Sequence, residues 1–561
     1  MAVGAKSSPA ATNLRTGWLQ ALPVVLALVL AATVPWVMRG SPDGHDFEYH
    51  LDTWIDGAQQ WHAGVWLPRW AYLANYGYGE PRFLFYPPLL RALGSAALLL
   101  LPHNAAAGGF CFLVLAIAGV AMFALARRFL PRPHALLAAG FYAVNPYILL
   151  CVYHRSAYGE LLSNAFCPLL VLCALRLVEG NRAIPALAAV FALFWVSDLP
   201  AAVIATYALT LAIVILGLWH RSFALLVRGA VAMMLGFGLA AFFMLPAAYE
   251  QRWVNIVSII SPDFRPENWE YTWTFDAEAH WFYAMVSALV YGTGGLALVA
   301  SVFSFKRRRS WGALWWVGVA LAAASIIMIL PDASRLFWIH MPKMEFVQFP
   351  WRWLLVLWTC LTILIAAAMA RFRPVWLGLV LAALALSGVA VEVPTAPWNP
   401  QAIEYYQEKI RGERGYEGGP EFMPPGSSPD AMYQARLLPA AQVGAEGAKL
   451  QIQRWAPDHK ILLLQCAAPA ELTLHLLNYP GWQAKVNGQP LRSSSDKLGR
   501  LVVPVPAGTS QVEVRFRRTP DQIAGLGISL VAAAIVILLA FTTRGRNTYH
   551  RDTETQRQFG I

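Results

Sequence analysis

The eight residues HDFEYHLD, positions 45–52, place three carboxylates (Asp46, Glu48, Asp52) and two imidazoles (His45, His50) a few residues past the first long apolar run. Two kinds of chemistry suit that set. A carboxylate can remove the proton of an attacking hydroxyl as a general base, and imidazole with carboxylate can ligate a divalent cation. Asp46 is the candidate base, and His45 with His50 are candidate metal ligands. The plainer alternative is that Asp46 and Glu48 cap and solvate the start of a helix at a membrane surface.

Three further charged residues stand where long apolar runs begin or end. Glu160 follows Arg155 and Tyr158 in RSAYGELL, Glu250 closes LPAAYE, and Arg352 lies between Trp351 and Trp353 in QFPWRW. A carboxylate at a membrane edge is costly unless it is paired or faces a cavity, so Glu48, Glu160 and Glu250 are candidate substrate-binding residues. An arginine at that depth can fork onto a lipid phosphate, with Arg335 and Lys343 as weaker substitutes. Arg352 can also simply anchor a helix end by snorkelling. The aromatic series Tyr72, Tyr76, Tyr78, Phe83, Phe85 and Tyr86 could stack on sugar rings or line a groove for a lipid chain, although an interfacial belt uses the same residues.

The chain that must position these groups is 561 residues long, 57% hydrophobic and 13% charged, with a formal charge of +11 and a mean hydropathy of +0.47. That composition belongs to an integral membrane protein rather than a water-soluble domain. Its Lys and Arg residues sit in short clusters between apolar runs, as topology signals do, so the positive charge orients the chain and carries no nucleic-acid signature. The first run, 18–37, follows Lys6 and Arg15, exceeds a signal-peptide core in length and lacks a small-residue cleavage site, which predicts an uncleaved first helix.

Placing every basic cluster on the cytoplasmic side predicts about twelve crossings, near 18–37, 106–127, 134–152, 160–178, 184–197, 199–218, 227–247, 282–305, 311–330, 351–370, 375–393 and 522–541. Both termini are then cytoplasmic. The short run 89–101, bracketed by prolines, is expected to be interfacial or re-entrant. The outer face receives 38–105, 248–281, 331–350 and 394–521, so the chemistry has room only there. In the last of these segments, runs such as LQIQRW, ILLLQC and QVEVRF alternate with period two around Asn487-Gly488 and Ala507-Gly508 turns, the pattern of an antiparallel β-sandwich. The expected organisation is a membrane domain over 1–393, an outer β domain over 394–521, and a final span with a cytoplasmic tail over 522–561. Trp482, in the PGWQAKVNG hairpin, reads as a packing residue before a sugar platform.

Taken in order, GHDFEYHLDTW, NYGYGEPRFLFYPPLL, RSAYGELLSNAFCPL, GLAAFFMLPAAYE, FVQFPWRWL and NYPGWQAKVNGQPL resemble the bacterial membrane proteins described as 6-pyruvoyl-tetrahydropterin-synthase-related. They are similar, more distantly, to YfhO-like membrane proteins, and through both to the GT-C glycosyltransferase superfamily. The resemblance implies a GT-C-like polytopic helical fold whose first outer loop holds a catalytic carboxylate, with a polyprenyl-phosphate-linked sugar as donor. A soluble pterin synthase needs a compact histidine zinc site in a small α/β domain, which this chain does not offer. The SDLPAA turn departs from the pattern, since Asp198 stands where a histidine is expected.

The expected function is therefore transfer of a sugar, with inversion, from that lipid-linked donor to an extracytoplasmic glycan, lipid or protein acceptor at a bacterial inner membrane. No organic cofactor is needed, and a divalent metal ion is a candidate only. A nucleotide-sugar donor is disfavoured because no GxGxxG loop or cytoplasmic DxD domain is present. The alternatives are a transporter or flippase of lipid-linked glycans, for which paired broken helices in related halves would be expected, and a non-catalytic envelope assembly protein.

Overall fold

The computed structural model describes residues 14–272 and 278–559; Lys6, one of the orientation cues, lies outside them. Ten helices among the described residues are long and apolar enough to cross a membrane, and the bent pair Ala313–Ile329 with Pro331–His340 makes an eleventh. The chain is a multi-pass helical membrane protein with a C-terminal β-sheet domain. The traverse expected at 184–197 is made by a helix shorter than the other spans, Asn181–Trp195. Asp198, just past its end, lies against Gly159 in the first turn of the helix Tyr158–Arg176. The short helix thus returns the chain to the end from which Tyr158–Arg176 set out.

The basic clusters collect at one end of the bundle. Arg128 pairs with Glu179, Arg228 donates to Asn181 at 2.9 Å and to the Leu177 carbonyl at 3.1 Å, and Phe129 packs on Trp311. The opposite end gathers the acids, the aromatics and the β domain. There the Pro88–Leu100 helix lies on the amphipathic helix Phe47–His62, where Gly94 allows Trp54 to approach so closely that a Cβ would overlap the indole, and Ser95 donates to the Trp54 carbonyl at 2.9 Å. That contact keeps 89–101 from crossing, as its prolines and length predict.

Strands occupy 441–516 in two antiparallel sheets. One orders Ala441–Val443, Ala470–Leu477, Arg500–Val505 and Ser494–Ser495; the other orders Lys449–Ala456, His459–Cys466, Gly508–Phe516, Trp482–Val486 and Gln489–Leu491. Alternate residues such as Leu462, Leu464, Val512 and Val514 point into the shared core. Asn487 and Gly488, both at positive φ, turn one hairpin as an Asn-Gly pair does. Residues 394–440 are not part of the sheets: they form the helices Ala402–Glu413 and Pro429–Ala435 and an irregular strap between them. Their Pro, Gly and Glu content lacks the period-two apolar pattern that a strand needs to bury one face.

The first outer loop is built into this sandwich. Tyr78 stacks on His475 with ring centroids 3.5 Å apart, its hydroxyl donates to the Ala435 carbonyl at 2.8 Å, and its carbonyl accepts the Leu477 N–H at 2.9 Å. Trp70 packs among Tyr479, Trp482 and Phe516. Trp482 is a core residue, 4% exposed. Buried aromatic clusters of this size contribute several kcal/mol of burial energy, which fastens the loop carrying Asp46 to the sheet domain.

Candidate active site

The site begins with a proline. Asn145-Pro146 interrupts the third span; Pro146 lacks the N–H that a continuous helix would use, and the Asn145 side chain caps the restart by accepting the Ile148 N–H at 3.2 Å. The restarted helix widens into a π turn at Cys151–Arg155, and Ser156 then adopts a left-handed conformation with φ 51°. Such a turn frees carbonyls at the helix end. Two of them are met by the first outer loop: the His154 carbonyl accepts the His45 N–H at 3.1 Å and the Arg155 carbonyl accepts the Asp46 N–H at 2.9 Å. Gly44 permits the approach, because a Cβ there would stand 2.6 Å from the His154 carbonyl oxygen. The loop is closed from its other side by the short strand pair Ser41–Pro42 with Trp398–Asn399.

Asp46 occupies the N-cap position of Phe47–His62, yet its side chain caps nothing. Its Oδ2 lies 3.5 Å from Arg155 Nη2, and the side chain is 41% exposed. The capping alternative therefore does not describe Asp46. Arg155 reaches onward to Glu160, which is also approached by Arg352 Nε at 2.9 Å and by the Tyr147 hydroxyl. Arg352 is steered by the Pro350–Trp353 turn and donates through Nη1 to the Val347 carbonyl at 2.8 Å and to Gln348 Oε1 at 3.1 Å. Phe349 presents its ring to both guanidiniums. Two carboxylates and two guanidiniums thus form one chain, Asp46–Arg155–Glu160–Arg352, in which the buried charges compensate one another.

This chain edges a cavity of about 520 Å³ at the outer end of the bundle, a size suited to a small organic ligand. Asp46, Glu160, Asp198, Lys343, Arg352 and Glu421 supply its charged lining, and Trp195, Leu199, Val203, Met244, Ala247, Ile256 and Ile259 its apolar wall. Phe85 and Tyr86, from the aromatic series, also line it, whereas Tyr76 and Tyr78 are spent in the sandwich core. Asp198 caps the next span by accepting the Ala201 N–H at 3.0 Å, and burial pushes its carboxyl up to about 6, against the pull of Arg352.

Other sequence candidates lie apart from this arrangement. Glu250 is fully buried outside the cavity lining, where it accepts from the Tyr479 hydroxyl, Thr519 Oγ1 at 3.0 Å and Gln522 Nε2 at 2.7 Å. It joins the span Phe223–Trp253 to the sandwich and to the last helix, because the outer end of its span is covered by folded chain rather than by open water. Glu48 pairs with Lys409 at 2.7 Å on the helix Ala402–Glu413, away from the cavity lining. Asp52 turns inward, and burial lifts its carboxyl to about 8.

His45 and His50 do not converge on a common centre. His45 sets its ring edge-on to Phe282 at 4.6 Å, while His50 lies among Trp54, Tyr86 and Tyr158 with Nδ1 2.6 Å from the Tyr86 hydroxyl. Burial lowers both, His50 to about 4. Helical winding from Phe47 onward rotates position 50 toward the aromatic core and leaves position 45 in the loop. Among the described residues no three His, Cys, Asp or Glu side chains gather as a cation site.

No protein-family model matches the chain, and no curated protein matches it. Solved structures do. The archaeal oligosaccharyltransferase AglB from Archaeoglobus fulgidus, in complex with an inhibitory peptide and a dolichol-phosphate, is similar over 74% of this chain at 13% identity and a TM-score of 0.39. This chain spans 62% of the length of that one. ArnT from Cupriavidus metallidurans in the apo state is similar over 63% of this chain and 78% of its own, at 12% identity and a TM-score of 0.30.

Proposed function

We propose that the protein is a membrane glycosyltransferase that moves a sugar from a polyprenyl-phosphate-linked donor to an extracytoplasmic acceptor of the cell envelope. The observation that carries this reading is the joint lining of one cavity by a half-exposed carboxylate, Asp46, by the cations Arg352 and Lys343, and by an apolar wall continuous with the membrane-spanning helices. A lipid-linked phosphosugar has the same three parts in chemical complement. Its polyprenyl chain suits the apolar wall, its phosphate the cations, and its anomeric carbon the space before Asp46.

In the reaction, Asp46 accepts the proton of the acceptor hydroxyl, and that oxygen forms a bond to the anomeric carbon. The bond from that carbon to the phosphate oxygen breaks, its electron pair leaves with the polyprenyl phosphate, and displacement from the opposite face inverts the centre. Arg352 and Lys343 neutralise charge on the departing phosphate. Glu160 holds Arg155 against Asp46 and Arg352 against the cavity. The basic clusters gathered at the far end of the bundle support an orientation with that end in the cytoplasm of a bacterium and the cavity outside the inner membrane.

The test compares cells carrying wild type, Asp46→Asn and a deletion, with membrane insertion of the variant checked by immunoblot. Loss of a general base slows such a step roughly 10²- to 10⁴-fold, so Asp46→Asn is expected to reproduce the deletion, with the polyprenyl-phosphate sugar accumulating and an outer-surface glycan missing. Wild-type glycans and no accumulation in Asp46→Asn would remove Asp46 from the role of base.

A further inference from the structure

Beside the guanidinium chain, against the residue that precedes Glu160, lies a carboxylate with a free oxygen. Asp198 commits Oδ2 to the Ala201 N–H, and among the described residues Oδ1 receives no hydrogen bond. That oxygen rests against Gly159, where an added Cβ would stand 2.9 Å from it. Both residues line the cavity, so the glycine keeps open the space in which Oδ1 meets a ligand.

The charges of the lining are unevenly spent. Glu160 is occupied by Arg155 and Arg352, and Arg155 also holds Asp46. Lys343 and the Nη2 group of Arg352 are left among the lining cations to meet a phosphate, while Asp198 and Glu421 have no cation bonded to them among the described residues. The free oxygen of Asp198 therefore offers the cavity a hydrogen-bond acceptor bearing negative charge. A hydroxyl satisfies such an oxygen, whereas a carboxylate brought beside it is repelled in a partly desolvated site.

We propose that Asp198 reads the donor's sugar: its free oxygen accepts a hydrogen bond from a sugar hydroxyl, and the donor is a polyprenyl-phosphate-linked neutral sugar rather than a uronic acid. The inference rests on the transferase reading above. A buried acceptor aimed at one substrate hydroxyl discriminates by leaving itself unpaired, or opposed by charge, when the wrong sugar enters.

The experiment uses the full chain in lipid nanodiscs and three probes: polyprenyl phosphate alone, polyprenyl-phosphate glucose and polyprenyl-phosphate glucuronate. Dissociation constants are measured for wild type, Asp198→Asn and Gly159→Ala. Asparagine keeps the helix cap but turns an amide N–H into the cavity, and alanine at 159 displaces Oδ1 without changing its charge. Wild type is expected to bind the glucose carrier at least about tenfold more tightly than the glucuronate carrier. Both variants are expected to bring that ratio to within about twofold while binding of the bare carrier is unchanged. Equal wild-type affinity for the two sugars, a preference for glucuronate, or a preference that survives Asp198→Asn would overturn the proposal. So would equal loss of bare and glycosylated carriers in Asp198→Asn, which would mark Asp198 as a fold residue alone. Wild type that fails to bind even bare polyprenyl phosphate would instead sink the transferase reading.

Discussion

Glu160 and Glu250 look alike in the sequence, each a carboxylate at the outer edge of a membrane-spanning helix. In the structure both are buried, at 4% and 0% exposure, but their partners differ in kind. Glu160 meets two guanidiniums on the wall of a cavity; Glu250 meets a phenol, a hydroxyl and an amide at the seam between the bundle and the sandwich. Charged partners beside open space build a field that a substrate can use. Neutral donors in a closed seam fix the geometry of the carboxylate they bond. Burial of a carboxylate therefore says little about function until the charge and accessibility of its partners are known.

Substitution of Glu160 is expected to have the largest effect. Glu160→Gln leaves Arg155 and Arg352 without their shared anion, and removing one partner of a buried ionic group costs about 3–5 kcal/mol. The expected result is a clear fall in the thermal midpoint of the purified protein, together with loss of transfer as Arg155 and Arg352 leave their positions. A variant that keeps both its midpoint and its activity would show that the two arginines are held by Phe349, Val347 and Gln348 alone, and that Glu160 is dispensable.

Glu250 gives the milder counterpart. In Glu250→Gln the amide oxygen can still accept from Tyr479, Thr519 or Gln522, so the expected loss is about 1 kcal/mol, close to one hydrogen bond. The measurements are the denaturation midpoint and the transfer rate, and only the midpoint is expected to move. Loss of transfer at an unchanged midpoint would give Glu250 a place in the chemistry and erase the contrast with Glu160.

What the sequence disclosed follows the same line. The spans were legible because apolar length and basic clusters are local signals, and the sandwich was legible from strict alternation around Asn487-Gly488. The helix Asn181–Trp195 is the shortest of these traverses, and Ser197-Asp198 marks its end in the sequence as it does in the structure. Asp46, Glu160 and Arg352 were visible as charged residues at span ends, but their connection was not. It passes through Arg155, whose position depends on the π turn at Cys151–Arg155, and nothing in a linear pattern announces that turn meeting the loop at His45 and Asp46. Glu250 was misplaced for the converse reason: its partners come from residues 479, 519 and 522, far along the chain. The pair His45 and His50 suggested a cation site through spacing, whereas helix winding sends the two rings to different surroundings.

Glu48 supplies the smallest effect and the cleanest control. It stands two positions from Asp46, in the first turn of the helix that Asp46 precedes, so any general loosening of the loop would register at both. Its carboxylate pairs with Lys409, but the side chains are 43% and 32% exposed, and an ion pair so open to water contributes at most about 1 kcal/mol. Glu48→Gln is therefore expected to leave transfer within about twofold of wild type and to shift the midpoint by no more than that pair is worth, less so in high salt. If Glu48→Gln instead matched Asp46→Asn in activity, the chemistry would belong to the loop's summed negative charge rather than to one carboxylate held by Arg155. The distinction between a wired acid and a solvated one would then fail where the two stand closest together.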